Sequence, residues 1–471
     1  MLTTLFSRAR KGAGLVLACA LAASLSLGAF ALPAHAEVRK ADLIMGQSVE
    51  ERGLSVSSAP SIDAAYAMVV DADGTVYFER DVDTETKIAS ITKVMTAIVA
   101  LDEAQEGTTV TVSATAAAVG ESSAELLEGD VLSLPDAIKA LLVMSGNDAA
   151  EAIAETVGGQ LLEAQGQASS DPATCVEAFV AAMNDKAAEI GMEHSLFCNP
   201  HGLDDGEYTG DHHSTARDVA TMVSYAMRNQ TFRDSVDSPT DTIAVQRDGA
   251  EATLTLESTD LMLGEYEGAC GVKTGFTDAA GNCFAGAVNR GAGDVYAIVL
   301  HSTDETQRFT DTEALFDWYF EHCVTYQLAH APQTVSTTIN GQAGEYPLVA
   351  DVALADWVDK TVPATIADPS AAVDVFDLDG NVSQEASYET VSGNVHAGDK
   401  VGTLTFKQRN EVIATVDLVA AQDATAPGFL EGIGIWWDRF FRSFSGAPAQ
   451  AESVLYNTTP LIVDKTTASA S

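Results

Sequence analysis

Apolar and polar residues alternate between Ala64 and Arg80 around a break at Asp73-Gly74. Tyr66, Met68 and Val70 fall on one arm and Val76 and Phe78 on the other, as in a β-hairpin. The period then lengthens. Ile91, Val94, Met95, Ile98 and Val99 recur three and four apart, which predicts an apolar helix with Ser90 at or near its first turn. A second helix is predicted through Ala137, Ile138, Leu141 and Leu142, with Ser133 as its cap and Asp136 in its first turn; it stops near Met144, leaving Ser145-Gly146-Asn147 on a turn between helices. The glycine-flanked stretch from Gly159 to Thr174 is read as an inserted surface loop ahead of a helix from Val176 to Ile190. Gly271 to Gly275 and Cys283 to Val288 read as two antiparallel strands joined by a short loop.

The pattern changes after about Ala329. Short alternating runs at Thr334 to Ile339, Ala371 to Phe376, Val401 to Phe406 and Glu411 to Leu418, broken by Gly, Asn and Asp, predict a small all-β domain. From Gly428 to Ser445, Leu430, Ile433, Trp437, Phe440, Phe441 and Phe444 share one helical face, with Arg439 and Arg442 near its polar boundary. That segment is too short and too charged to span a bilayer but suits lying in its surface; the alternative is a helix packed on the β domain. The predicted organisation is therefore α+β: a mixed domain at 60–328 with an antiparallel sheet packed by helices, a β-rich stem at 329–425, an amphipathic helix at 426–446 and a tail at 447–471 with no assigned role.

The N-terminus changes the cellular setting. Arg8, Arg10 and Lys11 precede an apolar run from about Ala13 to Leu32, and Ala34-His35-Ala36 offers a cleavage site, so residues 1–36 read as a secretory signal peptide. A retained membrane helix is the alternative, and Cys19 lies too far inside the run to be a lipidation site. Charge narrows the partners. With 25 Lys and Arg against 68 Asp and Glu, the formal charge is -43, which repels nucleic acid. After cleavage Cys175, Cys198, Cys270, Cys283 and Cys323 remain, an odd number without regular spacing, so their pairing stays undetermined. No H-E-x-x-H motif occurs, His212-His213 reads as a loop or surface feature, and no metal or cofactor is expected.

Three short motifs carry the candidate chemistry: Ser90-Ile91-Thr92-Lys93, Ser145-Gly146-Asn147 and Lys273-Thr274-Gly275. Three apart on a helix, Ser90 and Lys93 share a face, and a desolvated lysine near other positive charge is a competent base for a serine nucleophile. On its turn, Ser145 can pass a proton to a leaving amine while Asn147 holds a substrate carbonyl. Lys273 supplies a fixed cation for a carboxylate, Thr274 a hydroxyl donor, and Gly275 room for substrate at a strand edge. Each motif alone has an ordinary structural explanation as a helix face, a helix-end turn or an exposed strand pair. Their joint occurrence, in this order, is what distinguishes them.

With these motifs, and with Phe197-Cys198-Asn199-Pro200-His201-Gly202-Leu203-Asp204, Ser214-Thr215-Ala216-Arg217-Asp218 and Gly271 through Asp278, the chain resembles the serine D-Ala-D-Ala carboxypeptidases, the low-molecular-weight penicillin-binding proteins. The resemblance runs from about Ala64 to Val419. It implies Ser90 as acylated nucleophile, Lys93 as proton acceptor and Ser145 as second relay hydroxyl. It also implies Asn147 as a substrate contact, Lys273 and Thr274 at the terminal carboxylate, and the N–H groups of Ser90 and Phe276 as an oxyanion hole. Implied substrates are peptidoglycan stem peptides ending in D-Ala-D-Ala, and implied inhibitors are β-lactams, for an exported enzyme attached peripherally to the outer face of the cytoplasmic membrane. Asp294 stands where such proteins often carry a basic residue. A β-lactamase is the nearest enzymatic alternative, but no E-x-x-L-N loop lies between Asn147 and Lys273. The alternative from another class is a non-catalytic peptidoglycan-binding sensor.

Overall fold

The structure, a computed structural model, describes residues 42–462; the signal-peptide reading of 1–36, Cys19 and the final residues 463–471 lie outside the described residues. At its centre is a seven-stranded antiparallel sheet in the order Gln47–Ser48, Asp42–Ile44, Val76–Arg80, Tyr66–Asp71, Asp294–Ser302, Gly281–Asn289 and Ala269–Thr277. The strand carrying Lys273-Thr274-Gly275 is thus an edge strand. Alternate residues serve two cores. Met68, Val70, Tyr296, Ile298 and Leu300 face a helical layer, whereas Ala67, Val69, Val295, Ala297 and Val299 face the helix Gln307–His322. Burial on both faces explains why the hairpin strand Tyr66–Asp71 is apolar at nearly every position and only loosely alternating.

The helical layer contains Lys93–Glu103, Leu134–Leu142, Asn147–Ala164 and Pro172–Ile190. Ser133 caps the second of these by accepting from Asp136 N, as its position predicts. The expected loop from Gly159 to Thr174 is much shorter than predicted. Gly159 and Leu161 to Ala164 continue one helix, and Pro172 opens the next with Asp171 as its cap, leaving only 165–171 between them. Helical glycine is tolerated there because the Cys175 carbonyl packs so closely on Gly158 that a Cβ would come within 2.0 Å of it.

Beyond this layer the chain forms a six-stranded antiparallel sheet in the order Val382–Tyr388, Lys400–Gln408, Glu411–Ala420, Thr361–Ile366, Ala350–Ala353 and Val454–Leu455. The helix Phe429–Ser445 connects two strands of this same sheet. Its Gly432, Ile435, Arg439 and Arg442 turn inward, and Arg439 donates to Ala355 O and Trp357 O. Arg439 therefore fastens the helix to the stem, whereas Arg442 is held by Asp438 on the same helix and by Pro448 O just beyond it. The tail has a structural place as well: Asn457 is buried, donating to Leu328 O and Gln384 Oε1 and accepting from His330 N. At the opposite end of the stem, Arg52 reaches Leu378 O and Asp379, and Arg409 reaches Met45 O and Asp379, joining the first hairpin to the β-rich part.

Candidate active site

Ser90 lies in a tight turn, Ala89–Thr92, that leads directly into Lys93–Glu103. Ala89 has φ 48°, a conformation that L-residues adopt only under constraint. Two glycines allow the constraint. A Cβ on Gly202, itself at φ 89°, would stand 2.0 Å from Ala89 O, and one on Gly275 would stand 2.8 Å from Ile88 O. The loop of Asn199 to Gly202 and the edge strand therefore press on the serine turn from two sides. His212 adds a third restraint. It lies in a loop, one of the two expected settings, but is buried there, and bridges Thr92 Oγ1 at 2.7 Å and the Cys198 N–H at 3.1 Å.

Lys93 is fully buried, with Nζ 2.7 Å from Ser90 Oγ and donating to His201 O at 3.0 Å. Burial, and secondarily the charge of Lys273, holds its amine well below the ordinary lysine range, against the opposing pull of Asp148. That shift favours the neutral amine, the form that can accept a proton.

Ser145 is buried with φ 60°, and Asn147 opens the following helix. Their turn is laced to residues 120–126: Asn147 Nδ2 donates to Gly120 O, Asn147 N to Ser122 O, and Asp148 accepts from Ser123 Oγ, Ala124 N and Leu126 N. Asn147 Oδ1 is buried without a hydrogen-bond partner.

On the edge strand Lys273 is buried and donates to Thr274 O, while Thr274 Oγ1 and Thr259 Oγ1 share a hydrogen bond of 2.6 Å. Burial, with the neighbouring Arg308 charge, pulls Lys273 down to about 7. Phe276 is 57% exposed at the strand end, and Thr277 Oγ1 ties that end to Asp204. The structure thus gathers Ser90, Lys93 and Lys273 into one electrostatic neighbourhood and sets Gly275 beside the serine turn.

Sequence reasoning missed three residues here. Arg308, on the helix after the central strands, is buried and donates to Gly275 O at 3.3 Å. Asp294, which stands where a basic residue was expected, pairs with Arg233 at the far end of the sheet. Asp260 and Thr259 lie behind the edge strand, before any recognisable motif. An arginine inside the apolar helix pattern of Phe309, Leu315 and Phe316 was the available signal for the first; nothing in the local pattern marked the other two.

A family model for D-alanyl-D-alanine carboxypeptidases, peptidase family S11, matches residues 54–304. The chain belongs to that family. A D-alanyl-D-alanine carboxypeptidase of Bacillus subtilis, DacF, is 26% identical over 376 residues, covering 78% of this chain and 87% of the relative. The D-alanyl-D-alanine carboxypeptidase of Streptomyces sp. K15 is 31% identical over 271 residues, covering 55% and 88% respectively. Among solved structures, the Streptomyces K15 DD-transpeptidase matches with a TM-score of 0.51 at 30% identity, over 56% of this chain and 98% of that one. The carboxypeptidase DacD of Francisella tularensis shares the fold over 78% of this chain and 94% of its own, with a TM-score of 0.50 at 21% identity. As a member of the D-alanyl-D-alanine carboxypeptidase family, the protein is a serine peptidase hydrolase of α+β fold with an additional all-β part.

Proposed function

We propose that Ser90 is the nucleophile with which this carboxypeptidase removes the terminal D-alanine from peptidoglycan stem peptides. The observation that carries the reading is a fully buried Lys93 amine 2.7 Å from Ser90 Oγ, which burial holds well below the ordinary lysine range. Ser90 Oγ attacks the carbonyl of the penultimate D-alanine while its proton moves to Lys93 Nζ. The C–N bond then breaks, D-alanine leaves with a proton delivered through Ser145, and water hydrolyses the Ser90 ester. Asn147 would contact the substrate amide, and the Ser90 and Phe276 N–H groups would bind the oxyanion. Lys273, Thr274 and Arg308 would meet the terminal carboxylate, with Gly275 keeping the edge strand open to an extended peptide.

Two opposing titrations follow. Lys93 must be neutral and Lys273 charged, so kcat/KM should rise as Lys93 loses its proton and fall as pH passes about 7. A fluorescent penicillin should label the wild type covalently and fail to label Ser90→Ala, while Lys93→Ala should remain folded and lose acylation. Labelling that persists in Ser90→Ala would overturn the assignment.

The division into a peptidase domain at 60–328 and a stem at 329–425 carries the proposal outward. No helix among the described residues is long and apolar enough to cross a membrane. Phe429, Leu430, Trp436, Phe441 and Phe444 nevertheless project into solvent from the stem helix, an apolar surface suited to the lipid interface. Export through the N-terminal signal and peripheral attachment to the outer face of the cytoplasmic membrane complete the reading.

A further inference from the structure

Resting on the reading of Lys273 as the carboxylate cation, we infer that Asp260 is a positioning residue, an internal counter-ion that favours the charged form of Lys273 in the free enzyme and yields to the substrate carboxylate. Asp260 is 6% exposed, and only one of its carboxylate oxygens is hydrogen-bonded: Oδ1 accepts from Met262 N, while Oδ2 is buried with no partner. An ionised oxygen in that position is costly unless a positive field compensates it. Two buried cations supply that field, Lys273 from the edge strand and Arg308 from the helix Gln307–His322.

The cations are equally short of partners. Lys273 Nζ donates to Thr274 O, a neutral acceptor, and Arg308 Nε is buried without an acceptor. Arg308 Nη2 has the exposed Glu305 carboxylate at 3.5 Å, whereas the anion whose charge acts on Lys273 is Asp260. Asp260 is also fixed to the strand through its neighbour, because Thr259 holds the Thr274 hydroxyl. Other titratable groups coupled to these charges are Lys93, which faces Lys273, the Cys283 thiol, which faces Arg308 and which burial pushes up to about 11, and the Cys270 thiol on the edge strand, which burial pushes up to about 12.

The titrations agree with this arrangement. Burial raises Asp260 to about 6, opposed first by the Met262 N–H and then by Lys273 and Arg308, so the ionised carboxylate is favoured above that pH. Without that charge, Lys273 would face only burial and Arg308, both of which lower it. An enzyme lacking the Asp260 charge would then present a neutral amine to an incoming carboxylate and would have to acquire a proton on binding.

The test is the acylation of wild type, Asp260→Asn and Asp260→Glu by benzylpenicillin between pH 5 and 9, resolved into half-saturation and limiting rate. Asp260→Asn should move the alkaline limb of the second-order rate at least one pH unit lower. Half-saturation at pH 7.5 should weaken about tenfold with the limiting rate unchanged, and Asp260→Glu should restore the wild-type limb. A limb that coincides with wild type, or a parallel loss in half-saturation and limiting rate, overturns the inference. Absence of labelling in the wild type would instead refute the Ser90 reading. A second measurement keeps the question open to refutation if Asp260→Asn does not fold. In wild-type protein labelled with 13C at aspartate carboxyls, the resonance missing from Asp260→Glu should titrate near pH 6. It should shift upward by a unit after acylation, when the ligand carboxylate competes for the same cations. A resonance that does not move overturns the counter-ion role.

Discussion

Glu151 shows how far one side chain can escape a reading of the sequence. It lies one turn beyond Asn147, nearly buried, with Oε2 3.9 Å from His201 Nε2, and His201 in turn gives its carbonyl to Lys93. Burial, then the charges of Glu155 and Glu207, pushes Glu151 up to about 7 from an ordinary 4.5, and burial holds His201 well below its usual range. Burial thus disfavours the charged form of both, and the contact is not a strong ion pair. A carboxyl raised in the folded state stabilises the fold while it keeps its proton, and that stability is lost as pH rises through 7. Glu151→Gln should accordingly be more stable than wild type by about 2 kcal/mol at pH 8 and nearly equal to it at pH 4 in urea unfolding. An equal difference at both values would exclude the buried charge as the cause. Ser90 and Lys93 were legible because three residues of helix bring them together. Glu151, Asp260 and Arg308 were not, because each acts across the fold on a residue remote in sequence.

At the level of elements, hydrophobic period located the serine helix, the helix capped by Ser133, the K-T-G hairpin and four of the strands in the β-rich part. It failed at the supposed insertion, where Gly159 and nearby Gln and Ser residues suggest a loop although tertiary packing keeps Gly159 and its neighbours helical. It also said nothing about how the serine turn is held. Gly202→Ala should cost about 3 kcal/mol, combining an unfavourable positive φ with a clash against the Ala89 backbone, and should slow acylation more than tenfold. Gly291, at φ 96° with nothing within 4 Å of where a methyl group would sit, separates these terms. Gly291→Ala should cost only about 1 kcal/mol and leave acylation intact. Equal losses for the two substitutions would show that backbone conformation, and not the contact with Ala89, governs the turn.

For the whole molecule, the amphipathic helix was evident from its aromatic face, but the fate of the chain after it was not. Because Val454–Leu455 pairs with Ala350 and Asp351, and Asn457 is buried in the stem, truncation after Thr425 would remove a strand along with the helix. Replacing Trp436, Trp437, Phe441 and Phe444 by Ser is the cleaner probe. The variant should no longer sediment with zwitterionic vesicles yet should react with penicillin at the wild-type rate, since insertion of several aromatic rings contributes several kcal/mol and touches none of the catalytic groups. Wild-type protein that stays in solution with such vesicles would count against the membrane face. Arg439, tied to Ala355 O and Trp357 O, and Arg442, paired with Asp438, also predict that anionic lipid adds little to binding. As the proposed membrane foot, a helix built between two strands of a sheet has less freedom to swivel than one hung on a loose tail. With the Arg52, Asp379 and Arg409 joint stiffening the other end, the catalytic mouth would meet the cell wall at one inclination and one depth. Reach would then be set by the folded shape, so that wall strands outside a thin layer escape trimming however long the enzyme remains in place.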